Sequence, residues 1–600
     1  MKKYFLGFLF VWSIQSTTAQ SVPVGMNDLN DLLRIKQLVG QLDPNYSMVA
    51  RPFFSDNQQS NNDWIKKNTV QQKSKLVQTE LADTSSQQLH LSARAIQEAA
   101  QKYEQVLNFY KEHEIATSSI KKNKAAVGSA PLFYSNETQE SEDNAAYLSA
   151  TSFSFAKGKG KINILPLQVF TKYNSHHPYG WNDGAMIMAK GLQTSISTGF
   201  YAKLGFLSVQ LQPEYTYSAN PLYATTPGYG TNTGKSYTSF FPGNSSVRIN
   251  TGNISLGVST ENLWWGPGQF SSLLMSNNAP GFGHISFNTT GPVKTSIGSF
   301  EWQLVVGKLN EDTSRPYETL SLQTSKWTSD WRYFNGMVFS YQPKFLPGIF
   351  IGATRAIHLY HQDFLKEKNS LSGKYLPVLG GIFTSSSNIV DSTHAPSDQA
   401  LSLFMRWLLP NYQAEFYIEY GYNDYKQNLR DLSANANHAS AYIIGFKKVV
   451  PLAKQRLLDF SGELTQMAQT TSYIVRTAGN WYIHGGVFQG LTYQNQILGA
   501  GSGFGNNVQT FSLKRISGFN YIGLKFQRIQ QDPKGPGGDL TTLGMRENQW
   551  TDMAYGLLLQ QKIKRFVLNA EIQQVASTNY GWQPGSAMNL FAQVRVGYYW

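Results

Sequence analysis

The 600-residue chain contains no cysteine. That excludes disulfides, thiolate metal centres and cysteine nucleophiles. A chain of this length can bury a large interior without cross-links. Charge is also scarce, at 15% of residues. The formal balance is +13, but the basic residues are scattered and form no block, so nucleic acid is not expected as a partner. Long apolar runs are missing as well. The run from Tyr4 to Ile14 is short, and a membrane-spanning helix needs roughly twenty residues. The mean hydropathy of −0.33, taken alone, is that of a soluble protein. No Gly-x-Ser-x-Gly elbow and no His-Glu-x-x-His is present, so the common hydrolase signatures are lacking.

What is present begins at the N-terminus. Met1-Lys2-Lys3, an apolar stretch and the small residues Thr17-Thr18-Ala19 follow the order of a secretory signal peptide, 1–19. Its removal takes Lys2 and Lys3 and lowers the formal charge from +13 to +11. Residues 20–148 are expected to form a periplasmic α-helical region and linker. Asn27 and Asp28 can cap a helix carrying Leu29, Leu32, Leu33 and Val39, with Gly40 as its stop. A second helix is expected from about Ser86 to His113, with Ile96, Ala99, Ala100, Tyr103, Val106, Leu107 and Tyr110 on one face. Such faces must cover something: a small bundle, or the base of the next domain. They also offer export partners a docking region.

Over 149–600 the period changes to two. Met588, Leu590, Ala592, Val594, Val596, Tyr598 and Trp600 are apolar and alternate with Asn589, Gln593, Arg595 and Gly597; Phe591 and Tyr599 break the contrast. Leu401, Leu403, Met405 and Trp407 repeat the pattern, as do Phe416, Ile418, Tyr420 and Tyr422. One apolar face and one polar face suit an all-β transmembrane barrel, with outer-membrane lipid outside and a polar lumen within. The aromatic share of 14% fits the interface girdles of such barrels better than a β-sandwich. A spanning strand takes ~10 residues, and loops add ~15 more, so roughly sixteen to twenty antiparallel strands are expected. A Gram-negative outer-membrane location and a monomeric state follow from the same reading.

Several runs are richer in unusual residues than alternation requires. They are Asn174 to Gly184 (NSHHPYGWNDG), Asn262 to Gly268 (NLWWGPG), Met275 to Phe282 (MSNNAPGF), Gly298 to Leu304 (GSFEWQL) and Trp481 to Gly485 (WYIHG). Together they resemble the Wzi family of capsule-assembly outer-membrane proteins, in the form of its Bacteroidetes-type branch. The resemblance covers most of 150–600. It implies a barrel of about 18 antiparallel strands, a periplasmic helical bundle, and a lectin-like role in holding exported polysaccharide at the cell surface.

A polysaccharide site needs flat apolar faces for sugar CH groups and fixed polar groups for hydroxyls. Trp181, Trp264 and Trp265 supply faces. Asn182, Asp183, Asn277 and Asn278 supply short donors and acceptors. An anionic sugar also calls for arginine, and Arg332, Arg355 and Arg406 sit in strand-like segments; Arg332 joins the candidate set. Each has a structural alternative. Trp264-Trp265 before Gly-Pro-Gly can be a girdle pair at a turn. Asn277 and Asn278 can shape a loop. The arginines can pair with Glu301, Glu415 and Glu419 as braces of the wall, the reading favoured for them. His176-His177 has no third ligand at a useful spacing, so no metal or other cofactor is expected. Gly499, Gly501, Gly503 and Gly505 suggest a kinked strand. The expected function is non-enzymatic binding or anchoring of surface polysaccharide. A solute or polysaccharide pore, or a glycan hydrolase using Asp183, Glu214 or Glu301, are the alternatives.

Overall fold

The computed structural model describes residues 21–22, 27–40, 42–54, 151–224, 233–312, 330–366, 371–380, 397–423, 439–453, 456–468, 481–484, 486–533 and 547–600. The expected signal peptide, the helix over 86–113 and the linker that follows it lie outside the described residues.

Alternation over the C-terminal three quarters produces 18 antiparallel strands closed into a barrel. The first six are β1 (Gly160–Asn174), β2 (Gly191–Leu204), β3 (Leu207–Leu211, continued by Glu214–Ser218), β4 (Tyr237–Phe241, continued by Ser246–Thr251), β5 (Ile254–Ser259) and β6 (His284–Thr289). The next six are β7 (Gly298–Leu309), β8 (Arg332–Pro343), β9 (Ile349–Tyr360), β10 (Asp398–Leu409), β11 (Ala414–Asn423) and β12 (Ser440–Leu452). The last are β13 (Arg456–Gln466), β14 (Asn507–Ser517), β15 (Asn520–Gln530), β16 (Thr551–Ile563), β17 (Phe566–Thr578) and β18 (Ser586–Tyr598). Strand β18 closes on β1 in register from Phe591↔Asn174 to Tyr598↔Leu167. The Trp600 indole then donates to the Leu165 carbonyl at 3.1 Å and pins the chain end at this seam. Pro166 has no N–H for the ladder, and the β1–β2 register shifts between Leu165 and Gln168, where a bulge absorbs it.

The two faces of β18 follow the sequence. Met588 is 56% exposed and Leu590 39%, whereas Asn589 is 0% and Phe591 2%. Leu403, Trp407, Phe416, Leu513, Leu524, Tyr555 and Leu557 are exposed on the same outer side. A belt of large apolar residues in this position is stable in lipid, not in water. The inward positions are polar: Ser402, Arg406, Glu415, Glu419, Lys447 and Asn589 are all buried.

Short turns at 205–206, 252–253, 344–348, 410–413, 518–519 and 564–565 mark one rim. Long connections at 175–190, 260–283, 310–331, 361–397, 467–506 and 531–550 mark the other. In barrels of this class the short turns are periplasmic and the long loops extracellular.

Helix α1 (Asn27–Leu38) ends before Gly40, whose φ of +78° suits glycine. It enters the lumen near the short-turn rim. Ile35 and Leu38 pack on Phe350, Leu408, Val449 and Ile516, inward residues of four strands. The buried face is not the one expected. Leu32 and Leu33 are half-buried, whereas Asn30, Arg34, Ile35, Gln37 and Leu38 are buried. The surface that receives the helix is a polar barrel wall, so its docking face carries ionic groups.

Leu557 tests the assignment of faces. Leu557→Arg on the lipid side should lower unfolding stability in bilayers by about 2–4 kcal/mol if it lies near mid-membrane. Equal urea midpoints for variant and wild type would place that face in water.

Candidate functional site

The long connections 260–283 and 481–506 do not stand away from the barrel; they fold into it. Leu263, Trp265, Leu273, Leu274, Met275, Trp481, Tyr482, Ile497 and Leu498 pack on Val305, Val338, Ala356, Phe404, Tyr417 and Ile443, which point inward from the wall. On the opposite side Tyr179 and Trp181 pack on Val508, Ile529, Ala554, Val575 and Phe591. The plug therefore touches inward residues of strands on both sides of the lumen.

Glycines in the wall receive its aromatics. A Cβ on Gly336 would lie 2.6 Å from the Trp265 ring, and one on Gly421 would lie 2.7 Å from the Trp481 ring. Only glycine permits so close an approach. The alternating glycines at 499–505, expected in a kinked strand, instead belong to this loop. Gly499 is covered by Leu273 and Tyr482, and Gly501 by Asn278 and Trp181.

Seven of the eight candidate residues converge here. Trp264 and Trp265 are 0% exposed. They form a two-residue ladder with Ala50 and Arg51 of the N-terminal segment. The Trp265 indole donates to Gln303 Oε1 of β7 at 2.6 Å, and the Arg51 guanidinium stacks 4.9 Å from the Trp264 ring. Asn277 Nδ2 donates to the Asn182 carbonyl at 2.8 Å, and Asn277 Oδ1 accepts from Asn262 Nδ2 at 2.8 Å. Asn278 Nδ2 donates to the Ile497 carbonyl at 3.2 Å. The Asn182 side chain donates to the Phe270 carbonyl at 2.9 Å from a backbone at φ +65°. Three separate runs are thus tied together by asparagines. Asp183 forms an ion pair with Lys172 of β1.

Arg332 stands apart, at the β8 end of the plug. It donates to the Gly490 and Thr492 carbonyls and pairs with Glu311. Arg355 likewise donates to the Gly380 carbonyl at 2.8 Å and to Gln399 at 3.0 Å. The expected ladder of lumen ion pairs is seen at Arg406, which pairs with Glu415 at 2.5 Å. Glu301 and Glu419 are held otherwise: Glu301 accepts from the Ser47 N–H and Glu419 from the Ser402 hydroxyl.

The sequence reading missed the partners that α1 brings. Arg34 pairs with the same Glu415 at 2.7 Å and donates to the Pro267 carbonyl at 2.8 Å. Asp31 bridges Lys447 at 2.8 Å and Lys514 at 2.6 Å. Alternation puts both lysines on the lumen side but does not say what meets them. Burial alone would raise the Asp31 carboxyl; the two ammonium groups overcome it and hold the group well below the usual carboxylate range. At the other rim, burial first and His176 second push His177 down to about 3, so it is neutral at pH 7. Among the described residues no cluster of three His, Asp or Glu is placed to hold a metal.

A family model described as capsule assembly protein Wzi matches residues 174–594. The chain belongs to the Wzi family. It is an outer-membrane barrel of that family. Among solved structures it is similar to Wzi of Escherichia coli, described as an outer-membrane protein involved in group 1 capsule assembly and as a carbohydrate-binding β-barrel. The two share 12% identity over 76% of this chain and 86% of that one, with a TM-score of 0.50. OccAB3 of Acinetobacter baumannii matches at 11% identity, 73% and 98% coverage and a TM-score of 0.38. OprD of Pseudomonas aeruginosa matches at 8%, 75% and 95%, with a TM-score of 0.34. Comparison with curated proteins finds no sequence match. Of the runs that pointed to the Wzi family from sequence, those beginning at Asn174, Asn262, Met275 and Trp481 contribute to the plug, whereas Gly298 to Leu304 lies on wall strand β7.

Asp31 gives the plug a definite pH response. A carboxyl depressed in the folded state stabilises it fully above the unfolded value, near 3.9, and less as pH falls from there through the folded value. Hydrogen-exchange protection of α1, corrected for intrinsic rate, should therefore hold between pH 8 and 5 and decline below about 4. Asp31→Asn should show the unprotected behaviour throughout. Protection that is flat down to pH 2, or that Asp31→Asn leaves intact, would rule this out.

Proposed function

We propose that this Wzi-family barrel binds exported capsular or exopolysaccharide and anchors it at the cell surface without chemically altering it. The observation that carries the reading is the filled lumen. Four of the five family-like runs are spent on packing loops into the barrel, a geometry suited to a fixed platform and not to an open pore. The carbohydrate binding described for Escherichia coli Wzi supports the same reading.

Within the candidate set the roles divide by burial. Trp181 is partly exposed and, with Asn182 and Asp183, borders open space inside the lumen. We assign these three to saccharide contact. Trp264 and Trp265 are fully enclosed, and Asn277, Asn278 and Arg332 are hydrogen-bonded to neighbouring loops, so we assign these five to the scaffold. The carboxylates weighed for hydrolysis do not act as a pair. Asp183 is engaged by Lys172, Glu214 by the Ser195 hydroxyl and Glu301 by Ser47. A glycosidase needs two carboxyl groups facing one bond. A monomer is the proposed state, since the barrel closes on itself.

A deletion strain should release its polysaccharide into the medium, measured as the uronic-acid or total-sugar content of cell-free supernatant. Purified protein should bind that polysaccharide and generate no new reducing ends. Trp181→Ala should lose most of the binding yet keep the heat-modified gel shift of a folded barrel. Trp264→Ala should cost about 3–5 kcal/mol of plug stability. Unchanged retention by the deletion strain, together with no glycan binding in vitro, would refute the proposal. Steady ion conductance of the wild type in a planar bilayer would favour the pore instead.

A further inference from the structure

Below the Trp181–Asp183 loop the lumen keeps a chamber of about 170 Å³. On the same measure one water needs roughly 10–15 Å³, so the space takes a molecule the size of a sugar ring. Its walls are β1 and β14 to β18 on one side and α1 with Gln269 and Phe270 on the other. Tyr521, Asn569 and Arg595 are its residues nearest the short turns and are partly exposed.

The charges lining it are unequal: Arg34, Arg51, Lys514, Lys525 and Arg595 against Asp31, Asp183 and Glu571. The acids are already engaged. Asp31 holds Lys447 and Lys514, Asp183 holds Lys172, and Glu571 holds Lys525 at 2.8 Å. Arg595 differs. Its guanidinium lies 4.3 Å from the centre of the Phe170 ring, and it makes no ion pair among the described residues. An arginine fork stacked on an aromatic ring presents its N–H edge to a planar anion such as a carboxylate.

Two further atoms narrow the chemistry. Asn182 Oδ1 and the Ser512 hydroxyl are buried, border the chamber and have no hydrogen-bond partner among the described residues. The Asn182 amide orientation is fixed by its donation to Phe270, so its oxygen waits for a donor. A bare inorganic anion has little to donate; sugar hydroxyls supply donors. Between these groups Trp181, Phe170 and Phe591 offer apolar ring area, and Gln573 and Gln593 offer carboxamides.

We propose that this chamber is a saccharide subsite selective for an acidic, carboxylate-bearing pyranose, with Arg595 receiving the carboxylate and Asn182 a ring hydroxyl. The subsite rests on the reading that the protein binds polysaccharide, and adds to it the sugar class and a place inside the barrel beneath the Trp181–Asp183 loop.

Isothermal titration of the full-length barrel in detergent with sodium D-glucuronate, D-glucose and inorganic phosphate tests it, alongside the strain's own polysaccharide. Glucuronate should bind saturably, and glucose and phosphate each at least about tenfold more weakly. Arg595→Gln should weaken glucuronate roughly ten- to hundredfold, the worth of a charge-assisted hydrogen-bonded pair. Arg595→Lys should recover part of that loss, and the gel shift confirms folding of both. Should Arg595→Gln misfold, Phe170→Leu removes the ring and keeps the charge, with the same direction expected. Equal affinity for glucose and glucuronate, phosphate binding as tightly as glucuronate, or indifference to Arg595→Gln would overturn the subsite. If the polysaccharide still binds in that case, the anchoring function stands; if nothing binds, both fail.

Discussion

Glu415 lies between two guanidiniums, one from the barrel wall and one from the N-terminal helix, and the inner architecture depends on that arrangement. Arg406 and Glu415 are opposite charges on neighbouring strands and both are buried. The wall pair leaves part of the carboxylate to be matched, and Arg34 of α1 supplies the match. Asp31, one turn away, does the reverse by placing an anion between Lys447 and Lys514. Buried ion pairs add little net stability over apolar packing, but losing one member leaves a costly orphan charge. Such pairs therefore set position more than they add strength. Arg34 at Glu415 and Asp31 between Lys447 and Lys514 thus fix where α1 sits on the wall.

That position propagates upward through backbone contacts. Beyond the helix, Ser47 to Arg51 run along the plug. The Gly266 N–H donates to the Val49 carbonyl at 2.8 Å, and Ala50–Arg51 pair with Trp264–Trp265. Trp265 then fills the recess at Gly336 and reaches Gln303. Tyr482, from the last plug loop, donates to the Leu273 carbonyl at 2.7 Å and packs over Gly499. Charge pairing at the short-turn rim, ladder bonds in the middle and aromatic packing above form one connected structure. Polar groups enclosed between the packed loops need partners from the protein itself, and asparagines there bond to carbonyls of other loops.

The barrel was legible because its signal is repeated along every strand. The two-residue period marks the faces and the lumen-facing ions, chain length bounds the strand number at roughly sixteen to twenty, and the cap and glycine stop place the first helix. The plug was not legible. Its residues carry no period, and in sequence NLWWGPG reads equally well as a girdle or a sugar platform. Nothing in the order of residues shows that Trp265 meets Gly336, because the two are joined only after the barrel closes. The burial of α1 was misjudged for a related reason. The rule that a helix hides its apolar stripe assumes a uniformly apolar receiver, and here the wall meets Ile35 and Leu38 with apolar side chains but Asp31 and Arg34 with lysines and a glutamate.

Departures from the alternation proved more informative than the alternation itself. On β18 the inward positions should be polar, yet Phe591 is inward and 2% exposed, packed edge-on against Tyr179 at 5.3 Å between centroids. Its neighbour two rungs down, Arg595, stacks on Phe170 of β1. Both inward aromatics sit where a uniformly polar lumen would hold only water and ions. An apolar surface inside a wet lumen is unfavourable unless something covers it. The 175–190 loop covers Phe591, and the chamber begins where that cover ends, at Phe170 and Arg595. The strand that closes the barrel and carries the lipid belt on one side thus marks, on its other side, the boundary between scaffold and the space left for a ligand.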